Sequence, residues 1–412
     1  MGAQALLGEI SYNDGMKIAI LGAGASGLYS AILIQRLLPH AEITVFEKET
    51  KLGKKLYATG NGHCNVLNRS LLPEAYNDPS FISKALSVIP ASVLMDTLRS
   101  WGVALREDGN LVYPLSYSAE SYVHYLFSYA TNLGVHFVSP FLAEDYEADH
   151  KGHYFLLKNH EKIGPFDALI IACGAKSAPR LGSDGSFLPA LEKHGYHLIP
   201  FRPGLAPIKL QEDIHLLAGA RHGALVKAFD ATQQLFQEEG EVLFKKDGIS
   251  GIVIFNAESA IYRRSKVNSP RIEMDLFPHI EEKTLIRLLS KAKAENASHY
   301  LSSLISEPFV RLLEERFPNG DPASIAAHLK HLVYHVKGSY DFMDSQVSLG
   351  GVALNEVTNQ LESRHEKGIY FAGEILNIDG FCGGYNLSWA LLSALLIAEN
   401  FKTDKGRMTK II

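Results

Sequence analysis

Residues 16–47 read MKIAILGAGASGLYSAILIQRLLPHAEITVFE, and this stretch decides the fold. Met16 to Leu21 is a short apolar run, followed by the glycine turn Gly22-Ala23-Gly24-Ala25-Ser26-Gly27. Leu28 to Leu38 has helical character and stops at Pro39; Glu42 to Phe46 is β-branched, strand-like, and ends in Glu47. Strand, glycine turn, helix and strand predict a βαβ unit. In such a unit Gly22 permits the tight turn, Gly24 lets backbone approach a pyrophosphate, and Gly27 permits close helix–strand packing. The helix N-terminus, at Ala25 and Ser26, turns free N–H groups and its positive dipole end toward the phosphates. Glu47 lies 20 residues after Gly27, where its carboxylate accepts hydrogen bonds from ribose hydroxyls. A lone GxGxxG is a weak signal; the flanking strand and helix make it a dinucleotide site, without choosing between FAD and NAD.

Three further blocks choose. Gly53-Lys54-Lys55-Leu56 leads into Thr59-Gly60-Asn61-Gly62-His63-Cys64-Asn65. Backbone N–H groups of such a loop wrap a phosphate or a flavin edge, with Lys54 or Lys55 near the pyrophosphate. Ile170-Ile171-Ala172-Cys173-Gly174 ends a buried-type strand in small residues, and ligands of open α/β sheets sit beyond the C-terminal strand ends. Ile369-Tyr370-Phe371-Ala372-Gly373-Glu374 is a strand ending in Gly-Glu, and Asp379-Gly380-Phe381-Cys382-Gly383-Gly384-Tyr385-Asn386 opens a helix from about Leu387. A helix N-terminus there stabilises the negative charge of a reduced flavin near N1 and the C2 carbonyl. The cofactor expected is non-covalent FAD, with NAD(P)H as a transient reductant that has no Rossmann motif of its own.

Composition narrows the rest. The chain has 412 residues, 46% hydrophobic and 21% charged, enough for two or three domains of an ordinary globular protein. Its net charge of −5 gives no electrostatic footprint for nucleic acid or an anionic membrane. The expected partner is a small-molecule substrate, with no nucleic acid and no membrane; the sequence carries no signature of oligomeric state. Three cysteines, Cys64, Cys173 and Cys382, without CxxC spacing argue against a disulfide framework and a zinc site, and fit the reducing cytoplasm. His328, His331 and His335 do not make a metal site, because their spacing needs one continuous helix where the sequence turns strand-like; no metal is expected. Residues 1–15 carry Glu9 and Asp14 and lack a basic start, and so read as an extension or a misplaced start rather than a signal peptide.

Along the chain, 51–70 reads as a functional loop, 80–100 and 118–133 as helices, and 134–171 as short strands. Pro200 to Pro207 holds three prolines and a glycine and marks a boundary. Residues 208–275 read as strands and turns, 280–330 as helices, and His331 to Val336 as strand. The fold class expected is α/β: a two-segment Rossmann-type FAD domain (16–199 and 343–412) with an insert at 200–342. The insert is β-barrel-like over 200–275 and 331–342 and helical over 276–330.

With these blocks in place, the chain resembles the aminoacetone-oxidase-like flavoproteins, also called BaiN-like or YhiN-like, of the glutathione-reductase-type FAD superfamily. The resemblance runs from Met16 nearly to the end and rests on GAGASG, GKKLYATGNGHCN, NLVYPLSYSAESYV, GEVLFKKDGISG, QVSLGGV and GEILNIDGFCGGYNLSWA. It implies FAD ligands at Gly22 to Gly27, Glu47, Lys48, Lys54, Lys55, Thr59 to Asn65, Ala172 to Gly174, Gly373, Glu374 and Asp379 to Leu387. A strand near Phe141-Leu142 is implied to pass the adenine. The family loop usually reads TGxGRCN, and here His63 stands for the arginine; its SGP is Ser250-Gly251-Ile252, its preceding threonine-histidine pair is Lys245-Lys246, and its ATGG-like block is Ala172-Cys173-Gly174-Ala175. The activity implied is hydride transfer at the flavin on a small organic substrate: oxidation of an amine or amino ketone, or NAD(P)H-driven reduction of a conjugated enone. Flavin-dependent modification of RNA, or flavin binding without turnover, are the alternatives. His63, Tyr113, Ser116 and Tyr385 are the candidates for lining the substrate space; no general base is visible.

Overall fold

The computed structural model describes residues 15–402 apart from 232, 265 and 297. The segment before residue 15 and the tail from 403 lie outside the described residues, and with them the expectation for the N-terminus. The chain divides into two compact units: one runs through Phe201 and resumes at Gly350, the other is Arg202–Leu349.

The first unit is built on a five-stranded sheet. Its spatial order is Ile369–Phe371, Ala168–Ile171, Lys17–Leu21, Glu42–Phe46, His136–Val138, with every neighbouring pair parallel. The central strands Lys17–Leu21, from Ile18 on, and Ala168–Ile171 are covered on both faces, hence their apolar runs. Two helices lie together against this sheet, Ala25–Leu37 and Tyr385–Asn400. Both are apolar nearly all round because both are buried nearly all round, the second from Ser388 to Ala398 without a break.

Several local readings are corrected. The 80–100 helix is two, Pro79–Val88 and Ala91–Ser100, because Pro90 cannot continue the first. The 51–70 loop holds a helical turn, Lys54–Tyr57, and a 3₁₀ segment, Thr59–Gly62. Phe141 and Leu142 are not in a strand but in an irregular connection between His136–Val138 and Asp145–Ala148. The C-terminal helix starts at Tyr385, two residues before Leu387. An antiparallel sheet of three strands, Asp145–Ala148, Tyr154–Lys158 and Glu161–Phe166, directly precedes the Ala168–Ile171 strand. Its tight turn places Asn159 and His160 at φ 50° and 67°, the left-handed pair that a two-residue hairpin loop requires.

The second unit is a closed six-stranded barrel, Ile208–Leu210, Gly248–Ser250, Gln233–Phe244, Arg221–Asp230, Arg271–Asp275 and Leu332–Ser339 in spatial order. Three helices follow the Arg271–Asp275 strand: Glu282–Glu295, Glu307–Arg316 and Pro322–Lys330. The reading of 208–275 as strands and turns is wrong at Ile252–Tyr262, which is a helix. Its apolar, β-branched opening imitates a buried strand. Gly251, at φ 119°, turns the chain there, and its missing side chain admits Glu241 O, which would lie 2.3 Å from a Cβ. The two units have separate apolar cores, one around Ile20, Leu28, Ile170 and Leu392, the other around Val226, Phe244, Ile272 and Leu313.

Candidate functional site

The glycine turn has the geometry its residues require. Gly22 stands at φ 100°, and a Cβ there would lie 2.6 Å from Ala172 O; a Cβ on Gly27 would lie 1.9 Å from Gly22 O. At Gly24 a Cβ would meet nothing within 4 Å, so this face of the turn is open. The helix Ala25–Leu37 has no side-chain cap and no acidic residue in its first turn. Its first N–H groups have no acceptor within the helix and suit an anion. Ser26 Oγ is committed elsewhere, donating to Ala372 O at 3.2 Å.

Glu47 closes the turn from the next strand. Its carboxylate accepts from Ala23 N at 2.8 Å and from Glu49 N at 2.9 Å, with lone pairs remaining for a further donor. Phe141 N donates to Glu47 O at 2.7 Å, which sets Leu142, 44% exposed, beside it. Lys48 reaches Asp184 and, at 3.4 Å, Ser186. Lys54 pairs with Glu49 at 3.1 Å. Lys55 lies 2.8 Å from Glu374 and 2.5 Å from Ser177, whose hydroxyl also bonds Glu374. The lysines are thus tied to neighbouring side chains, and Lys55 joins the first segment of the site to the second.

The loop Thr59–Asn65 is held by left-handed residues, Gly60 at φ 55°, Asn61 at 52° and Cys64 at 56°. Thr59 Oγ1 donates to Leu56 O at 2.6 Å. A Cβ on Gly62 would meet nothing within 4 Å. Cys64 faces inward: it is fully buried, and burial pushes its thiol up to about 11. Its side chain is core, so only its backbone is placed for a ligand. Cys173 at the strand end behaves alike, its thiol pushed up to about 12 by burial. None of the three cysteines is in a disulfide. With its amide oriented to satisfy its neighbours, Asn65 donates to Leu67 O (2.8 Å) and Val112 O (3.2 Å) and accepts from Gly384 N (3.1 Å).

That last bond reaches the second helix N-terminus. Gly383 and Gly384 stand at φ 109° and 85°; a Cβ on Gly384 would lie 2.6 Å from Leu67 O. The helix Tyr385–Asn400 again has no side-chain cap and no acid in its first turn, and Tyr385, Asn386 and Leu387 are only half-buried. Asn386 braces the approach, accepting from Gly380 N at 2.9 Å and donating to Gly380 O at 2.8 Å. Asp379 is 2% exposed, and its backbone exchanges bonds with Asn77. Gly373, at φ 73°, donates to Ser393 Oγ at 3.0 Å and accepts from Trp389 Nε1 at 3.0 Å.

Of the substrate-space candidates, His63 Nδ1 lies 3.0 Å from Tyr117 O, and its ring stacks on Tyr117 at 4.1 Å. Tyr113 meets the same ring edge-on at 5.0 Å, and the Arg106 guanidinium lies over it at 4.8 Å. Burial, with Tyr117 and Asp108 nearby, raises the Tyr113 phenol, which stays protonated at neutral pH. Ser116 is exposed on this lip. Tyr385 packs edge-on to Tyr76 at 5.6 Å, nearer the helix N-terminus. Sequence reasoning missed Tyr117, Ser177, Ser183 and Asp184. The last three sit in a glycine-, serine- and aspartate-bearing loop directly after a buried strand, a signal that was available. Tyr117 gave none, since its role comes from the ring stacked on it. Among the described residues no group of three or more His, Cys, Asp or Glu is arranged to hold a metal ion.

The open face at Gly24 and two bare helix N-termini, with a carboxylate at the ribose position, fit a bound dinucleotide. A parallel sheet with this site defines the class, an FAD-dependent oxidoreductase. The family described as HI0933-like protein Rossmann domain matches residues 16–400. The chain belongs to that family. A 3-dehydro-bile acid delta(4,6)-reductase of Clostridium scindens is 30% identical over 400 residues, 92% of this chain and 97% of that protein. A ribosomal RNA dihydrouridine synthase of Escherichia coli is 26% identical over 410 residues, 94% and 98% of the two chains. Among solved structures, a 3-ketosteroid-delta4-(5alpha)-dehydrogenase of Rhodococcus jostii aligns over 95% of this chain and 97% of its own at 13% identity and a TM-score of 0.48. No single helix among the described residues is long and apolar enough to cross a membrane.

Proposed function

We propose that this chain reduces a carbon–carbon double bond conjugated to a carbonyl in a small molecule, with NAD(P)H as the electron source. One observation carries the reading. The two relatives matched over nearly their whole lengths are named for the same step on unrelated molecules. A delta(4,6)-reductase of a 3-oxo steroid and a dihydrouridine synthase both add hydrogen across a double bond conjugated to a carbonyl. What such a family shares is the step, while the substrate is set by the walls of the site.

Bound FAD supplies the hydride chemistry. The residues of this chain hold and orient. The Gly22–Gly27 turn and the first N–H groups of Ala25–Leu37 take the pyrophosphate, and Glu47 the ribose. Asn386 and Leu387 would offer N–H groups, and the helix its positive end, to a bound flavin. His63, Tyr113, Ser116 and Tyr385 line the substrate side together with Tyr117. Tyr113 Oη holds its proton at neutral pH, which supports assigning it as the donor of the second hydrogen. In domain terms, the unit that runs through Phe201 and resumes at Gly350 carries the cofactor, and Arg202–Leu349 is the insert.

Reduction of a uridine in RNA is the second reading, favoured by the name of the Escherichia coli relative. A net charge of −5 speaks for the small molecule, because RNA binding draws most of its affinity from basic surface.

The test is an anaerobic titration of the FAD-loaded protein with NADH and NADPH, followed by a conjugated enone. Bleaching by a nicotinamide and return of colour with the enone is the expected result. Bleaching by a primary amine or amino ketone and not by NAD(P)H would overturn it in favour of an oxidase. Salt-sensitive retention of RNA, with colour restored only by RNA, would favour the second reading.

A further inference from the structure

We propose that Gly182–Ser186, led by Ser183, is a binding subsite for the adenosine half of FAD, with Ser183 Oγ bonding a ribose or phosphate oxygen. The inference rests on the reading of this chain as an FAD protein and adds residues that nothing in its sequence motifs assigns.

Ser183 is 6% exposed, and its hydroxyl is buried without a hydrogen-bond partner. Buried hydroxyls in native proteins are almost always paired, so one left over beside a strand end of this kind points to a ligand. Its position is specific. Ser183 Oγ lies 3.0 Å from where a Cβ of Gly174 would stand, and Gly174, at φ 71°, is the residue on which the Ala168–Ile171 strand turns away. In an open parallel sheet that C-terminal strand end is where ligands lie.

The neighbouring residues choose the adenosine half. Gly182, at φ 99°, packs on Glu49, whose Cγ would lie 3.0 Å from a Cβ there. Asp184 holds Lys48 in an ion pair, and Ser186 N donates to Asp184 Oδ1 at 2.9 Å, which fixes the carboxylate. The segment is therefore fastened at both sides: to Glu47–Glu49, at the end of the ribose-facing strand, and to Gly174. The charges of Lys48, Glu47 and Asp184 all act on the Cys173 thiol, so these groups converge on one strand end. A donor at that corner meets sugar hydroxyls and phosphate oxygens, and the flavin ring is assigned to the other helix N-terminus, that of Tyr385–Asn400.

Ser183→Ala separates a ligand role from a structural one. Removing an unpaired buried hydroxyl leaves the apoprotein as stable as before or more so, whereas removing a structural hydrogen bond lowers its melting temperature. The expected result is a Kd for FAD, and for ADP as a probe of the shared half, raised about three- to ten-fold, the equivalent of one hydrogen bond. The apoprotein melting temperature should be unchanged or higher. Unchanged Kd values for both ligands overturn the proposal, as does a fall in apoprotein stability that matches the loss of affinity. A weaker Kd for FAD with ADP unaffected also overturns it, since the subsite would then serve the flavin half. Wild-type apoprotein that binds neither ligand would sink the functional reading as well.

Discussion

Gly27 has no room for a single added carbon. A Cβ there would lie 1.9 Å from Gly22 O and 3.4 Å from Ala172 Cβ, and the first of these is backbone that cannot swing aside. Gly27→Ala should push the Ala25–Leu37 helix off the strand, spoil the pyrophosphate turn, and destabilise the fold by about 1–3 kcal/mol. Urea unfolding of the apoprotein and the 450 nm absorbance after reconstitution check both effects; a variant that retains wild-type stability and flavin content would contradict this account of the turn. The role of this glycine is legible in sequence, because a GxGxxG between a strand and a helix has one packing solution. Cys64 is the opposite case. It sits in the middle of a predicted ligand loop, yet its left-handed backbone turns the thiol into the core. Alternation and spacing do not reveal a side chain's direction where φ is positive.

At the scale of elements, the site is two helix N-termini without side-chain caps, and the chain must present both. The second is held by a side chain far away in sequence: Asn65 joins Leu67 O, Val112 O and Gly384 N. Asn65→Ala strips three backbone groups of that partner, of which Val112 O keeps its bond from Val66 N, and should cost about 1–3 kcal/mol. Some of that loss should appear as weaker FAD binding, by about ten-fold or more, measured by fluorescence quenching, with Asn65→Asp recovering only the accepting bond. An undiminished FAD affinity in Asn65→Ala would show that the Gly384 cap is held some other way. The helix itself was legible from Leu387 onward as an apolar run. Its start at Tyr385 was not, because two glycines at positive φ give no periodic signal. The helix Ile252–Tyr262 was misread for a related reason: its opening Ile-Val-Ile-Phe is apolar at every position, exposed Ile252 included, and so shows no polar face to betray its period.

At the scale of the whole molecule, two cores imply two sensitivities. The proposed FAD ligands all lie in the first unit, so FAD at a hundred times its Kd should stabilise that unit by about 2.7 kcal/mol. Acid should act on the second unit, Arg202–Leu349, through His328. Burial, reinforced by the Arg316 charge, pushes this imidazole down to about 4, and its Nε2 is buried without a partner. The unfolded chain takes up the proton near 6.5, so protonation favours unfolding across that window. The stability tied to neutral His328 is intact above pH 6.5 and falls as the pH drops toward 4, by about 2 kcal/mol at pH 5. Calorimetry at pH 7.5 and 5.0, with and without FAD, should show a first-unit transition moved by FAD and a second-unit transition moved by acid. His328→Leu should abolish the acid shift alone. An acid shift of equal size in His328→Leu would assign it to other groups.

The sequence by itself determined the βαβ opening, the return of the chain at Ile369–Glu374, the glycine turns, and the choice of a dinucleotide. Each is set by local chemistry, namely which residues tolerate a positive φ, a close backbone approach or full burial. Only the tertiary structure decided which side chains are spent holding the site and which are left facing a ligand. Lys55 pairs with Glu374 across a gap of 319 residues, Ser177 lies between them, and Ser183 is brought to Gly174 with its hydroxyl unpaired. Hydrogen bonds of that range depend on the packing of the whole sheet and its two helices, and no window of sequence contains both partners.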